Sequence, residues 1–342
     1  MLCAMASGDP PGGGRVSIGD VARLAGVSPI TVSRVANSSD AVRPATRDKV
    51  LAAMNKLGYA PNSAARALRS GSFHEIGVVV HRLDRTGESR TVEGVVNAAR
   101  AEGYTISLVD VRSPTSAEVT AAAQRLRHQA IDGLIIVRAE AATAATLALP
   151  AGLPVVVSDS RLIGRHPAVG SDQAGGIRDA VEHLLSLGHQ TIHHAAGPTD
   201  STPAMVREEV WRRLLTDAGR PVPEVLRGDW TLRSGYELGL RIDPAATAVL
   251  CANDEMAAGM IRALHERGLR VPDDVSVVGF DDIAVAEYLW PPLTTIRQDF
   301  SRIGAELVRM LLDQVRGQGE PVERQRLVPT ELVVRASTAP PR

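Results

Sequence analysis

Acidic and amide side chains come directly after short apolar runs in the C-terminal three quarters of the chain. They are Asp159 after Val155 to Ser158, Asn253 and Asp254 after Leu250 to Ala252, and Asp281 and Asp282 after Val278 to Phe280. Continuous apolar runs are typical of buried parallel strands, whose carboxyl ends gather ligands. Carboxylates accept hydrogen bonds from sugar hydroxyls, arginine donates to hydroxyl oxygens, and an aromatic face covers a sugar ring. With Arg207 and Trp230 in the same half of the chain, the sequence predicts a cleft for a polyhydroxylated ligand.

A second kind of chemistry is indicated near the N-terminus. Residues 15–70 contain nine Arg or Lys and three Asp, a net charge of +6, which leaves −6 for residues 71–342 once Asp9 is counted. A basic head on an acidic body is expected where one end of a protein meets phosphate. Within the head, Thr31, Ser33 and Arg34 fall on the polar face of a predicted helix. They are placed to contact bases or phosphates.

The head contains the start and stop signals of three short helices. Ser17 with Asp20 makes a weak capping box, and Gly26 begins a tight turn. Ser28 then caps a second helix over 29–36, and a third is expected over about 44–57. Two helices joined by a three-residue turn predict a helix-turn-helix, whose second helix enters the major groove of DNA.

From Glu75 onward, apolar runs alternate with helix-length segments. The runs lie at 76–80, 106–109, 134–137, 155–157, 191–194, 248–251 and 275–278. This pattern predicts an α/β body of two doubly wound parallel sheets with about six strands each. A helix is expected after Phe300 and a single last strand near 327–333.

The length and the composition of the chain exclude several classes of protein. The 342 residues, with 44% apolar and 23% charged side chains, indicate a multidomain globular protein. No run of eighteen apolar residues and no signal-peptide pattern occur, so we expect a cytoplasmic protein without a membrane partner. Cys3 and Cys251 give no disulfide framework. The four histidines at 183, 189, 193 and 194 lack partners at ligand spacing, so neither a metal nor another cofactor is expected. Trp211 and Trp290 are expected to pack in the interior.

The head is similar to the DNA-binding headpiece of the lac repressor family. The matching residues are Asp20-Val21-Ala22, Ala25-Gly26-Val27-Ser28, Thr31-Val32-Ser33-Arg34-Val35, Asn37, Thr46-Arg47, Gly58-Tyr59 and Pro61-Asn62. The body resembles the same family at Val181-Glu182-His183-Leu184, Leu187-Gly188-His189-Gln190, Gly228-Asp229-Trp230, Ala252-Asn253-Asp254, Ser276-Val277-Val278-Gly279, Asp281-Asp282, Pro291 to Ile296 and Gln298-Asp299-Phe300. The resemblance spans residues 16 to about 338.

The resemblance implies a set of DNA-contacting residues. They are Ser28, Pro29, Ile30, Thr31, Ser33, Arg34, Asn37, Thr46, Tyr59, Asn62 and Leu68. Pro29 and Ile30 occupy the two positions that most vary operator choice in the family, and neither side chain can hydrogen-bond a base edge in a bidentate manner. Readout there is expected to be apolar or by DNA shape. Residues 62–69 match the hinge helix, with Leu68 as the wedge inserted into the minor groove.

The resemblance also implies a sugar effector and a homodimer on a palindromic double-stranded DNA operator. The implied effector contacts are Asp159, Ser201, Arg207, Trp230, Asn253, Asp281 and Gln298. Val137 and Ser158 depart from the galactoside-binding members of the family, which puts galactoside specificity in doubt. The leucine heptads that make tetramers in the family are absent, and a dimer suits a two-fold DNA site.

The expected fold class is α/β, with an all-α helix-turn-helix headpiece and hinge helix followed by a two-lobed body of the periplasmic sugar-binding type. The expected domains are a disordered leader at 1–14, the headpiece at 15–61, the hinge helix and linker at 62–74, the body at 75–338 and a tail at 339–342. Within the body, the N-lobe is assigned 75–171 and 300–327, and the C-lobe 172–299 and 328–338. The expected function is a repressor that a sugar, galactoside-like or related, releases from its operator.

Other interpretations stay open at this stage. Asp159 and Asp281 could form the carboxylate pair of a carbohydrate-processing enzyme, and the same two-lobed body serves sugar-binding proteins. Asn253 and Asp281 could be helix N-caps, Trp230 could be plain core, and Arg207 could pair with Glu208 or Glu209 on the surface. The sign of the effector's action is open, because sequence does not show whether the ligand weakens or strengthens DNA binding.

Overall fold

The computed structural model describes residues 16–36, 41–59, 72–111, 115–137, 149, 152–158, 166–317 and 324–342. The chain forms two compact units, 1–71 and 72–342. The expected leader and the expected hinge helix at 62–69 lie outside the described residues.

The α-helices and β-strands are numbered in chain order. The helices are α1 Ile18–Ala25, α2 Pro29–Ala36, α3 Pro44–Leu57, α4 Thr86–Ala101, α5 Ser116–His128, α6 Gln173–Ser186, α7 Thr202–Asp217, α8 Leu232–Gly239, α9 Asp254–Glu266 and α10 Phe300–Val315. The strands are β1 Glu75–His81, β2 Thr105–Val111, β3 Gly133–Val137, β4 Val155–Ser158, β5 Ala168–Ser171, β6 His193–Ala196, β7 Leu226–Arg227, β8 Ala248–Cys251, β9 Ser276–Val278, β10 Thr295–Arg297, β11 Gln325–Val328 and β12 Glu331–Val333.

The three helices predicted for the headpiece are confirmed, and its described residues form no strand. The amide of Asp20 donates to Ser17 Oγ at 3.3 Å and the Ser17 amide donates to Asp20 Oδ2 at 2.9 Å, which completes the capping box. Gly26 ends α1 in the left-handed region, with φ 67°, and α2 starts three residues later. Val21, Val32 and Val50 are fully buried and hold the three helices on one small core.

The first sheet of the body has six parallel strands in the order β11-β5-β4-β3-β1-β2. Strands β3 and β4 are buried along their whole length, as expected for strands covered on both faces. Helices α4 and α10 pack together at Gly94 and Gly304, where a Cβ on Gly304 would lie 2.2 Å from the Gly94 carbonyl carbon. This sheet and its helices form the N-lobe.

The second sheet of the body has four parallel strands, β7-β6-β8-β9, where about six were expected. The expected count was wrong because β10 and β12 pair with each other in antiparallel fashion instead. Backbone hydrogen bonds from Gly279 N to Thr294 O (2.9 Å) and from Asp281 N to Ile296 O (2.7 Å) join this ribbon to the edge of the four-stranded sheet. These elements form the C-lobe.

Two predicted strands differ from the structure by more than small shifts at their ends. The strand expected at 191–194 is β6, at 193–196, since the small residues Ala195 and Ala196 carry little strand signal but pair with their neighbours. The single last strand expected near 327–333 is two strands, β11 in the N-lobe and β12 in the C-lobe. Pro329 between them cannot donate a ladder hydrogen bond, so pairing stops where the chain changes lobes.

Among the described residues, the chain passes between the lobes three times. The passages lie between β5 and α6, between β10 and α10, and between β11 and β12. Short connections of this kind allow two lobes to rotate against each other around a shared cleft.

Acid should destabilise the C-lobe through His194. Its Nδ1 bonds the Leu250 carbonyl at 2.8 Å, and complete burial lowers the pKa of His194 from 6.5 to about 4. Between those two pH values the unfolded chain binds a proton that the folded chain does not. The free energy of unfolding should therefore fall by about 1.4 kcal/mol per pH unit from this group as the pH drops from 6.5 towards 4.

Urea unfolding of the protein at pH 7 and pH 5 measures this dependence. His194→Gln keeps a donor for the Leu250 carbonyl but does not titrate, so its unfolding free energy should change less over the same interval. An equal change in both proteins would show that the titration of His194 does not contribute.

Candidate functional site

A polar cavity of about 170 Å³ lies between the two lobes. The N-lobe contributes Arg82, Asp84, Arg85, Thr86, Gly87 and Glu88, and the C-lobe contributes Arg207, Asp229, Trp230, Thr231, Leu232, Asn253, Glu255 and Asp281. Four of the predicted effector residues therefore line one cavity: Arg207, Trp230, Asn253 and Asp281. This cavity is called the interlobe cleft below.

Arg207 is a buried anchor at the base of the interlobe cleft. It projects from α7 and is only 1% exposed, with its guanidinium carbon 3.7 Å from the centre of the Phe280 ring. Its Nε donates to Gln173 Oε1 at 2.8 Å, and Nη1 donates to the Ala252 carbonyl. The surface pairing considered from sequence is wrong, since Glu208 pairs with Arg212 and Arg227 instead.

Asp281 meets Arg207 from the end of the second sheet. Its Oδ1 lies 3.8 Å from Arg207 Nη2, and Gln298 Nε2 donates to the same carboxylate oxygen. Asp281 has φ 115°, a left-handed conformation that is costly for a residue with a Cβ. The packing around Asp281 holds the carboxylate at the cleft despite this cost. No helix begins at Asp281, so it is not the N-cap considered from sequence.

Asn253 is both a helix cap and part of the cleft wall. Its Oδ1 accepts from the Met256 amide at 2.9 Å, which caps α9 as the alternative interpretation expected. Its Nδ2 donates to the Trp230 carbonyl at 3.0 Å and to Glu255 Oε2 at 2.8 Å. The side chain therefore connects α9 to the Trp230 segment.

Trp230 presents a buried donor that has no acceptor among the described residues. The side chain is 8% exposed, lines the cleft, and its Nε1 is buried without a hydrogen-bond partner. The Trp230 ring packs against Gly197, where a Cβ would lie 2.6 Å from the ring. The backbone of Trp230 is left-handed, with φ 77°. Buried polar atoms without partners are rare in folded proteins, so this N–H is a candidate donor for a group that the described residues do not supply.

The three other predicted effector residues differ in placement. Gln298 lies behind Asp281 and accepts from Gln173 Nε2 at 3.2 Å, so it supports the site without lining it. Ser201 is fully buried just before α7, and it is not among the lining residues. Asp159 lies outside the described residues.

The N-lobe side of the cleft was not predicted from the sequence. Residues 82–88 come directly after β1, so the rule that selected Asp281 would have found them if applied to the first strand. Glu255 was not predicted either; it accepts a hydrogen bond from the Thr86 hydroxyl across the cleft. Asp229, Thr231 and Leu232 are the other additions on the C-lobe side. The Thr231 hydroxyl holds the pKa of the Asp229 carboxyl below its ordinary value.

The carboxyl group of Asp254 lies behind the cleft wall. Asp254 accepts from the Ile283 amide at 2.8 Å and from the Thr295 hydroxyl at 2.5 Å. Burial, with Asp281 nearby, raises the pKa of Asp254 well above its ordinary value. Asp254 is therefore a structural partner of β10, and it does not line the cleft.

The predicted DNA-reading positions that are described in the headpiece are exposed or half-buried. Ser28, Pro29, Ile30 and Arg34 are exposed, with Ile30 at 66%, and Thr31, Ser33, Thr46 and Tyr59 are half-buried. The Ser28 hydroxyl accepts from the Thr31 amide at 3.2 Å, which caps α2. Asn37, Asn62 and Leu68 lie outside the described residues.

A helix-turn-helix head and a two-lobed α/β body with a polar cleft define a ligand-responsive DNA-binding regulator. The family model for bacterial regulatory proteins of the lacI family matches residues 17–62, and that for a periplasmic binding protein-like domain matches residues 181–338. The chain belongs to the lacI family and is a DNA-binding transcription repressor rather than an enzyme.

Two relatives and one solved structure illustrate the likeness. The lactose operon repressor of Escherichia coli K12 is 38% identical, covering 95% of this chain and 91% of its own. The transcriptional repressor PurR of Pasteurella multocida is 34% identical over an alignment that covers 94% of this chain and 98% of PurR. The structure of a lac repressor dimer bound to operator and the anti-inducer ONPF superposes with a TM-score of 0.83 at 35% sequence identity. The superposition covers 95% of this chain and 99% of that chain. None of the described helices has both the length and the apolar character needed to cross a membrane.

Proposed function

We propose that this repressor binds a palindromic operator as a homodimer in the cytoplasm, and that a sugar bound in the interlobe cleft releases it. The observation that carries the ligand class is the unpartnered Trp230 Nε1 beside the carboxylates of Asp229, Glu255 and Asp281. The indole donates to a hydroxyl or ether oxygen, and the carboxylates accept from hydroxyls. A polyhydroxylated ring offers both groups.

The charge of the cleft supports a ligand without phosphate. Each cleft arginine has a carboxylate beside it, at 3.4 Å for Arg82 and Asp84 and 3.8 Å both for Arg85 and Glu88 and for Arg207 and Asp281. Asp229 and Glu255 add acceptors beyond these pairs. The relatives bear both lac and PurR names, so likeness alone does not choose between a sugar and a purine. The several carboxylate acceptors in the cleft favour a polyol, because it offers more hydroxyl donors than a purine base.

Trp230→Phe tests this ligand class because it removes the indole N–H and keeps an aromatic face. Losing one hydrogen bond to a buried donor should weaken sugar binding about tenfold, equivalent to about 1.4 kcal/mol. Isothermal titration with a panel of neutral sugars, sugar phosphates and purine bases measures it. Tight binding of a purine or a sugar phosphate, with no neutral sugar bound, would contradict the proposed class.

Homodimerisation is supported by an exposed apolar segment in the C-lobe. Trp290, which was expected to be interior, is 85% exposed, and its neighbours Tyr288 and Val285 are 78% and 46% exposed. The expectation was wrong because this segment runs on the surface, joined to the core only through residues such as Ala286 and Leu293. Adjacent exposed aromatic side chains are typical of an interface, and a two-fold axis would pair this patch with itself or a nearby one.

Trp290→Glu should therefore shift the protein from dimer towards monomer. A charge buried in an interface without a partner is strongly unfavourable, so the dissociation constant of the dimer should rise more than tenfold. Analytical ultracentrifugation over a concentration series measures the change. Leu327→Glu, at a 51% exposed position in the N-lobe, is the matched control and should leave the distribution nearly unchanged. A dimer unaffected by Trp290→Glu would place the interface elsewhere.

The expected DNA contacts stay a proposal. Ile30 is exposed enough to reach a thymine methyl, and Arg34 to reach a base or a phosphate. The proposed wedge at Leu68 and the hinge helix remain predictions from sequence.

A further inference from the structure

The body begins at residues 72–74, directly before β1. The boundary between the two compact units falls between positions 71 and 72, and β1 starts at Glu75. Residues 72–74 are therefore the first part of the body that the chain reaches after the headpiece unit, and they are called the junction segment below. The segment belongs to no helix or strand, and Phe73 within it is 42% exposed.

One carboxylate holds all three residues of the junction segment. Asp132 Oδ1 accepts from the Phe73 amide at 2.7 Å, and Oδ2 accepts from the His74 amide at 2.8 Å and from the Ser72 hydroxyl at 2.5 Å. Hydrogen bonds to an ionised acceptor are stronger than those between neutral groups. Asp132 therefore gives the segment a fixed attachment that secondary structure does not provide.

The backbone around Asp132 is itself held in place. The Asp132 amide donates to the Glu75 carbonyl at 2.8 Å, and the preceding side chain, Ile131, is buried at 6% exposure. On the other side, the Thr105 amide donates to the His74 carbonyl at 2.9 Å. These contacts come from the amino ends of β3, β1 and β2, which are neighbours in the N-lobe sheet. The junction segment is thus attached to the N-lobe.

His74 adopts a backbone conformation that needs support. Its φ is 53°, in the left-handed region that residues with a Cβ seldom occupy. Such conformations persist where the surrounding contacts fix them. Here the amide of His74 is bound by Asp132, and its ring lies 5.1 Å from that of Tyr104, centre to centre. Removing the carboxylate should therefore let this part of the chain relax.

The junction segment and the interlobe cleft lie at opposite ends of β1. The cleft residues 82–88 follow the carboxyl end of this strand, and residues 72–74 precede its amino end. The strand has seven residues, which at about 3.3 Å each separate the two places by roughly 20 Å. A change at Asp132 can therefore alter the response to an effector without touching the site that binds it.

We infer that Asp132 is a positioning residue that fixes the junction segment to the N-lobe and so passes movements of that lobe on to the headpiece. The part of this inference that concerns release by a sugar rests on the proposed function, whereas the attachment and its effect on operator binding do not. Without the carboxylate, the junction segment must be ordered when DNA binds, and that loss of conformational entropy opposes binding. The freed segment would also absorb part of a lobe movement.

Asp132→Ala in the full-length protein tests the inference. Hydrogen exchange of the peptide that covers 72–76 should become at least tenfold faster, and affinity for the DNA site enriched from random duplexes should fall three- to tenfold without sugar. Isothermal titration should show less than a twofold change in sugar affinity. The release ratio is the operator dissociation constant with saturating sugar divided by that without. It should fall at least threefold, because the released state is affected less.

Two further variants and a control refine the test. Asp132→Asn keeps one acceptor oxygen, and Ser72→Ala removes only one of the three bonds, so both should give smaller effects of the same kind. They also decide the question if Asp132→Ala does not fold. Glu102→Ala is the matched control, because it removes an N-lobe carboxylate that pairs with Arg316 at 2.7 Å away from the junction segment. It should leave the release ratio unchanged.

The outcomes separate the inference from the proposed function. A folded Asp132→Ala protein with unchanged exchange at 72–76 and unchanged operator affinity would overturn the inference. So would a lower melting temperature with a full release ratio, since that result describes a residue that only stabilises the fold. If no sugar releases the unmodified protein, the proposed function falls, and hydrogen exchange together with sugar-free operator affinity still decides the role of Asp132.

Discussion

Arg207→Ala is expected to abolish release of the repressor by its sugar, with at least a hundredfold loss of effector sensitivity. The guanidinium packs on Phe280, donates to Gln173 and Ala252, and lies beside Asp281, so its loss disassembles the base of the cleft. Operator binding should survive, because the residue belongs to the body and not to the headpiece. Fluorescence anisotropy of labelled operator, titrated with sugar, measures the response.

The same substitution should also lower stability, which the experiment must separate from ligand binding. Removing one partner of a buried ion pair costs about 3–5 kcal/mol, since the other charge stays buried. The melting temperature of each variant is therefore recorded beside its operator affinity. Arg213→Ala is the matched control, an exposed arginine on the same helix, and should change neither quantity appreciably. A folded Arg207→Ala protein released at the same sugar concentration would place the effector elsewhere.

Arg34→Ala is expected to weaken operator binding by one to two orders of magnitude. Arg34 is exposed on α2, the second helix of the helix-turn-helix, where a base contact is worth about 1–3 kcal/mol. A base contact would relax specificity at one operator position, and a phosphate contact would lower the salt slope by about one unit. Binding measured from 50 to 200 mM salt, on the operator and on single-base variants, distinguishes the two.

A matched arginine is available in the same headpiece. Arg23 on α1 is exposed and pairs with Asp20 at 3.2 Å, so Arg23→Ala changes the same net charge away from the reading helix. Its effect should be smaller and the same for all DNA sequences. Equal losses for the two variants would show that Arg34 contributes only general charge and that α2 does not read the groove.

The headpiece could be predicted from sequence almost to the residue. Ser17, Gly26, Pro29 and Gly58 act through local backbone chemistry, so their effects do not depend on distant packing. The second sheet was less predictable. Whether β10 joins it as a parallel strand or pairs with β12 depends on residues about 35 positions apart, and no local signal reports that choice.

Within the candidate site, Asn253 and Asp281 of the C-lobe were predictable because they close apolar runs. The N-lobe segment 82–88 was equally placed and was missed, and the Thr86 to Glu255 hydrogen bond joins residues 169 positions apart. The exposure of Trp290 could not be predicted either. The local sequence, a tryptophan followed by Pro291 and Pro292, is equally compatible with a buried loop and with an exposed one.

A coupling between cleft and headpiece follows from ordinary thermodynamics. A sugar that binds one arrangement of the lobes better shifts the protein towards it, by no more than its differential affinity. Typical coupling energies are about 1–3 kcal/mol, a 5- to 150-fold change in operator affinity. A response of that size is well within the range of a binding assay.

Selection of random duplex DNA by the purified protein, with and without a panel of sugars, tests the central claim most directly. We expect one palindromic site to be enriched and a single sugar to remove it, while Arg207→Ala retains the site in the presence of that sugar. Failure to enrich any site, or retention of the site by the unmodified protein with every sugar, would contradict a sugar-released repressor.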